Sequence, residues 1–273
     1  MSNFEPMFAE ERKQQIIELI RQKRKVSVKE LCKRFGTSPG TIRNDLSELE
    51  KLDLLNRTHG GAISASKIGF ERRSQEKAVK CHEEKLAIAR IAASYVEDGD
   101  TIALDTGTTT VELAKELSDR ENLTVVTNDL VIAMLMEDFP HTNILFIGGM
   151  VRKGFHCAVG PPSINALSEI RVDKTFLAGN GLTAASGVTT PDVDTAHLKR
   201  ELISIADQVI LLCDSSKIGR SSFIQIAALD QIDLLITDEY ITKESLEVIQ
   251  SAGLEVITAA LNKNRDESEK GQG

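Results

Sequence analysis

From Thr101 onward the chain alternates short apolar runs with amphipathic stretches, and this alternation leaves few folds open to it. Runs at Thr101–Asp105, Leu123–Thr127, Asn143–Ile147, Lys174–Ala178, Gln208–Cys213, Leu234–Thr237 and Glu255–Thr258 have strand length and are rich in β-branched and aliphatic residues. Helical patterns such as Val111–Leu117 and Leu130–Met136 stand between several of them, and a long amphipathic helix is expected before them, from Ala78 to Val96. Alternating β and α units predict a largely parallel sheet covered by helices on both faces.

In such sheets ligands bind beyond the carboxyl ends of the strands. The ends of the first five runs read Asp105 with Thr106, Gly107, Thr108, Thr109 and Thr110; then Asn128; then Gly148 and Gly149; then Gly179-Asn180-Gly181; then Asp214 to Lys217. Hydroxyls and backbone amides at a helix N-terminus attract an anion. Gly107 lets the backbone come close and Lys217 supplies charge, so phosphate is the expected ligand group. Singly, each feature has a plainer reading: a Thr-rich turn caps a helix, Gly-Gly makes a turn, a lysine is a solvated amine. Their convergence on one edge carries the case. No GxxxxGKS or GxGxxG is present, and His82, His141, His156 and His197 lack metal-ligand spacing, so no cofactor is expected.

The N-terminal residues follow different rules. Ala9–Lys23 is an amphipathic helix, and Ser27 with Glu30 forms a capping box for a second helix that Gly36 ends. A third helix begins with Ser38 as N-cap and Pro39 at its first position. Ile42, Leu46 and Leu49 make its buried stripe, while Gly40, Arg43, Asn44 and Ser47 share the opposite face. Two short helices joined by a Gly-containing turn are a helix-turn-helix, whose second helix enters the major groove of double-stranded DNA. Arg43 suits guanine and Asn44 adenine, each pair discriminating by roughly 1–3 kcal/mol. Thr37, Ser38 and Thr41 are expected on phosphates. Leu54–Ile63 reads as a two-stranded wing turning at Gly60-Gly61, with Arg57 and His59 near its tip.

The net charge of −8 argues against nucleic acid until it is divided. Residues 1–60 hold 12 Lys+Arg against 9 Asp+Glu, a net of +3 that leaves −11 for the rest. A basic head on an acidic body suits a phosphate-binding module joined to a part that does not bind DNA. Four scattered cysteines without a CxxC pair suit reduced thiols in a cytoplasmic protein, and no apolar run approaches the roughly 18 residues of a membrane span. The expected organisation is a DNA-binding module at 1–63, a linker at 64–77, an α/β domain at 78–261 and a disordered charged tail at 262–273.

Over residues 9–259 the chain resembles the DeoR family of bacterial transcriptional regulators. The resemblance is carried by Ser38–Leu46, Arg57–Ala62, Phe70–Arg73, Asp105–Thr110, Thr127-Asn128, Gly148-Gly149, Thr189–Asp192, Lys199-Arg200 and Asp214–Lys217. It implies a winged helix-turn-helix joined to a Rossmann-like α/β sensor similar to ribose-phosphate isomerases and CoA transferases. It also implies a homo-oligomer, dimer or tetramer, that represses a carbohydrate-metabolism operon and answers to a phosphorylated sugar. Carried across, Asp105, Gly107, Thr108, Thr109, Asn128 and Lys217 become effector contacts, with Thr189, Asp192 and Lys199 as further ones. The chain departs from the family pattern at Asn44, where Arg is common, at Pro39-Gly40, at Thr106 for Ser, and at Asn180, where Asp is frequent. Two other readings compete: a sugar-phosphate isomerase with an appended helical module, and a protein-binding scaffold. An isomerase needs a base, which an amide at Asn180 cannot be, leaving Asp105, Asp192 and Asp214. A scaffold accounts for neither the basic head nor the polar strand ends.

Overall fold

The computed structural model describes residues 8–51, 54–64, 69 and 71–261. It divides into two compact units between residues 70 and 71. The charged tail and most of the stretch from 65 to 70 lie outside the described residues.

The first unit runs α1 (Ala9–Lys23), β1 (Lys25–Ser27), α2 (Val28–Phe35), α3 (Pro39–Lys51), β2 (Leu55–Thr58) and β3 (Gly61–Ser64). Ile16 and Ile20 of α1, Leu31 of α2, and Ile42, Leu46 and Leu49 of α3 close one core. Ser27 caps α2 by accepting from the Glu30 amide at 3.1 Å. The Glu30 carboxylate does not return to the cap, as a capping box requires, but binds Lys23 at 2.5 Å. Ser27 also ends β1, where it stands opposite Gly61 in a three-stranded sheet of order β1-β3-β2. Gly61 therefore belongs to a strand, and the wing turns at His59-Gly60. A Cβ at 61 would sit 2.0 Å from the Val26 carbonyl oxygen, so only glycine fits there.

The second unit opens with α4 (Ser74–Val79) and α5 (His82–Ala93), so the single helix expected from Ala78 to Val96 is broken at Lys80-Cys81, where Cys81 takes a left-handed φ of 51°. Then come β4 (Thr101–Leu104), α6 (Thr108–Lys115), β5 (Leu123–Thr127), α7 (Leu130–Met136) and β6 (Thr142–Phe146). A hairpin of β7 (Met150–Arg152) and β8 (Cys157–Val159) leads to α8 (Pro161–Leu167) and β9 (Val172–Ala178). After β10 (Gly181–Thr183) and β11 (Gly187–Thr190) follow α9 (Val193–Ser204), β12 (Ala206–Leu212) and a 3-10 turn at Ser215–Lys217. The chain finishes with β13 (Ile224–Ala227), β14 (Leu234–Asp238), α10 (Lys243–Ser251) and β15 (Glu255–Ala259).

The seven strands read from the sequence all enter one parallel sheet of order β15-β14-β12-β9-β4-β5-β6. The inner strands β4, β5, β9, β12 and β14 are covered on both faces and carry continuous buried runs rather than alternating patterns, whereas the edge strands β6 and β15 are partly exposed. Ile102 and Leu104 pack with α5 and α6, while Ala103 between them packs with Leu198 and Leu202 of α9. The chain builds outward from β4 through β5 to β6, then crosses back to lay β9 on the other side of β4. The order of strand addition reverses between β4 and β9, the place where open α/β sheets leave a crevice for ligands. Among the described residues no helix is long and apolar enough to cross a membrane.

Residues 71–77 belong to this second unit, although their polar composition reads as linker. Glu71 is ion-paired inside it, and Ser74 donates its amide to Gly154 O at 3.0 Å and its hydroxyl to Phe155 O at 3.2 Å. Ser64, also assigned to the linker, is the last residue of β3.

Candidate functional site

Two surfaces collect the polar residues singled out in the sequence. In the first unit Gly36, with φ 62°, ends α2 and turns the chain sharply into α3. Ser38 Oγ accepts from the Thr41 amide at 3.1 Å and lies 2.9 Å from the Thr41 hydroxyl. Gly40, Arg43 and Asn44 are exposed, Thr41 and Ser47 half-buried, and Ile42, Leu46 and Leu49 buried. Arg57 and His59 are exposed on the wing, whose Arg57 amide donates to Glu50 of α3 at 2.8 Å. Thr37 departs from expectation in that its hydroxyl is buried and has no hydrogen-bond partner among the described residues.

Behind this surface lies a pair the sequence reading missed. Arg12 of α1 donates from Nε and Nη2 to the two Asp45 oxygens at 2.6 and 3.0 Å, with both side chains buried. That hydrogen-bonded pairing raises the guanidinium pKa. The signal was available: Asp45 falls within the buried stripe of Ile42, Leu46 and Leu49, and Arg12 within that of Ile16 and Ile20. A charge on an apolar stripe implies an opposite charge facing it.

In the second unit the site is built at the crevice between β4 and β9. Asp105, ending β4, accepts the Ala178 amide of β9 at 2.8 Å and binds the Lys199 ammonium of α9 through the same oxygen. Lys199 also donates to Ala178 O at 2.9 Å. The other Asp105 oxygen is buried and has no donor, and the same holds for Asn128 Oδ1 at the end of β5, whose Nδ2 donates to Ala158 O. Such unpartnered acceptors are costly and rare in folded proteins.

The threonine loop divides. Thr108 to Thr110 form the first turn of α6, which no side chain caps. Thr110 is turned inward, its hydroxyl donating to Gly107 O at 2.8 Å, while Thr106 donates to Asp129 at 2.7 Å. Burial raises the Asp129 pKa, against the pull of Thr106 and the α7 amides it caps. A Cβ at Gly107 would lie 2.8 Å from that of Ala178, so the loop approaches β9 as closely as glycine allows. A cavity of about 200 Å³ opens beside it, lined by Gly107, Thr108, Glu112, Asp129, Phe155 and His156 among others.

Lys77, Arg152 and Phe155, which the sequence reading did not single out, join Asn180 and Asp192 of that reading around Glu71. Glu71 accepts from Lys77 at 2.6 Å and pairs with Arg152 at 2.8 Å. Arg152 lies 3.3 Å from Asp192, which caps α9, and 3.8 Å over the Phe155 ring. Asn180 accepts from the Thr190 hydroxyl at 3.1 Å and places its amide nitrogen 3.5 Å from Glu71. Burial lowers the Lys77 pKa; Glu71 opposes this, while Lys217 and Lys199 add to it. Lys85, buried on α5, closes the end of α4 through the carbonyls of Lys77 and Lys80. Among the described residues the Lys217 ammonium is in no ion pair.

Three expected contacts are engaged in local structure instead. Gly148 and Gly149 follow β6, at the sheet edge, and make the turn into β7. Gly148 O accepts from Ser163 at 2.8 Å, and a Cβ at Gly149 would strike that hydroxyl at 2.2 Å. Thr189 is occupied within the small sheet, donating to Gly181 O and accepting from the Ser222 amide.

Comparison with known proteins adds the following. The DeoR-like helix-turn-helix domain matches residues 12–68 and the DeoR C terminal sensor domain residues 80–239. The HTH-type transcriptional regulator GlpR of Haloferax volcanii is 38% identical over 253 residues, covering 92% of this chain and 98% of that protein. The HTH-type transcriptional repressor GlcR of Bacillus subtilis is 33% identical over 260 residues, covering 95% and 100%. Among solved structures, ribose 5-phosphate isomerase A of Methanocaldococcus jannaschii superposes with a TM-score of 0.39 at 19% identity, over 51% of this chain and 55% of that one.

Proposed function

The chain belongs to the DeoR family of DNA-binding transcriptional regulators and is not an enzyme; from that premise we propose that it represses a carbohydrate-metabolism operon and releases its operator on binding a phosphorylated sugar. Arg43 and Asn44 read bases in the major groove, Ser38 and Thr41 hold phosphates, and Arg57 and His59 contact the flanking backbone or minor groove. The regulator works as a homo-oligomer, so that two heads meet a palindromic site one helical turn apart.

One observation supports the effector class above the others. At the crevice between β4 and β9, lysines lie near buried acceptors with no donor. Lys217 and Lys77 suit a phosphate, assisted by the amides at the uncapped start of α6. Asp105 Oδ1 and Asn128 Oδ1, on neighbouring strands, call for hydroxyl donors. A ligand that is anionic at one end and rich in hydroxyls at the other satisfies both. Ligand binding shifts the regulator only through different affinities for its DNA-bound and free states.

The test is a gel shift on the DNA upstream of the chain's own gene, with a panel of phosphosugars. Salt-sensitive, sequence-specific binding is expected, relieved by one panel member. K217A should keep the operator complex and lose the response. Operator binding indifferent to the whole panel, or a K217A protein with unaltered effector affinity, would overturn the assignment.

A further inference from the structure

Glu71 is the first residue of the sensor unit, separated from Ser64 at the end of the wing only by positions 65–70. Its side chain is 9% exposed, yet it belongs to no apolar core and caps no helix. It lies instead in a corner made by Lys77, Arg152 and the Asn180 amide. Resting on the effector reading above, we infer that the Glu71 carboxylate competes with the ligand's phosphate for Lys77 and Arg152, so that effector binding expels it and loosens residues 71–79 at the start of the sensor.

Charge balance gives the argument its direction. The groups coupled through Lys77 and Arg152 are five cations, Lys77, Lys85, Arg152, Lys199 and Lys217, and four carboxylates, Glu71, Asp105, Asp192 and Asp214. Asp105 is held by Lys199 and the Ala178 amide, Asp192 by the first turn of α9 and Asp214 by the Ser216 amide, so none of the three leaves without breaking backbone contacts. A sugar phosphate carries about −1.5 to −2 charges at neutral pH. Adding it to a group with one positive charge in excess leaves an excess of negative charge, and the departure of Glu71 restores neutrality. Both cations keep other partners: Arg152 retains Asp192 and the Phe155 ring, and Lys77 gains the phosphate where it now offsets repulsion from Lys199 and Lys217.

The experiment compares the full-length wild type with E71Q, which keeps the shape and removes the charge. Titrated with inorganic phosphate and with glucose 6-phosphate, E71Q should bind about tenfold more tightly, and its operator affinity without ligand should fall toward that of the liganded wild type. Amide hydrogen exchange in the wild type provides a readout that does not depend on the variant folding: inorganic phosphate should speed exchange at residues 71–79 and slow it at β4. Phosphate affinity in E71Q that is unchanged or weaker, or protection that increases throughout residues 71–79, would overturn the inference while leaving the effector reading standing. A wild type that responds to neither ligand, in a chain that still binds its operator, would overturn both.

Discussion

Removing the Asp45 carboxylate tests whether the DNA-binding head is assembled around a buried charge as well as an apolar stripe. Arg12 reaches both Asp45 oxygens, at 2.6 and 3.0 Å, and the two side chains are 8% and 6% exposed. In D45A the guanidinium stays in the interior without these bonds, and breaking a buried pair in this way costs about 3–5 kcal/mol. A module of ~60 residues holds a total of only about 3–9 kcal/mol, at ~0.05–0.15 kcal/mol per residue. The substitution is therefore expected to bring the head to the edge of unfolding at 25 °C. Because the two units have separate cores, calorimetry of the full chain should resolve a head transition lowered by at least about 12 °C, at ~4 °C per kcal/mol, beside an unmoved sensor transition. Replacing both partners with apolar groups, as in R12M/D45L, should recover most of the loss, since well-packed apolar residues often match or exceed a buried ion pair. The double variant also isolates the coupling between the two positions. A head destabilised by less than about 1 kcal/mol in D45A, where a buried pair costs several, or a double variant no more stable than D45A, would refute the reasoning.

Three further outcomes follow from the geometry. G107A forces a Cβ to within 2.8 Å of Ala178 and should weaken phosphosugar binding by at least about tenfold, or 1.4 kcal/mol, in titration calorimetry; unchanged affinity would remove the loop from the site. R43A should lose discrimination between operator and scrambled DNA, by about 1–3 kcal/mol in fluorescence anisotropy, and an equal loss on both sequences would make Arg43 a phosphate contact instead. Effector affinity should follow a bell in pH. It rises as the phosphate loses its second proton near pH ~6 and falls as Lys77 deprotonates, which happens below the usual lysine value of ~10.4. Burial, with help from Lys217 and Lys199 against Glu71, depresses that pKa, and an anion prefers the ammonium form populated below it. Affinity that stays level through pH ~10 would exclude Lys77 from the phosphate's contacts.

What the sequence determined by itself is whatever depends on neighbours a turn or a strand apart. Periodicity placed α1 at its observed ends, the Ser38 cap and Gly36 marked α3, and seven apolar runs became the seven parallel strands. Strands of three residues, such as β1, β7 and β10, escaped because so short a run has no period to read. The break at Cys81 escaped because the apolar pattern continues through it. The ends of the strands could be named in sequence, but not which ends adjoin. That β9 returns beside β4 is a property of the whole sheet, and it brings Lys199 onto Asp105 across 94 positions and Asn180 beside Glu71 across 109. The Arg12–Asp45 pair spans 33. Local sequence settles backbone conformation because propensity, capping and amphipathic burial act within a few residues. Only the tertiary structure decides which buried charges face one another, because a buried charge is stabilised by whichever partner the completed fold brings within a few ångströms.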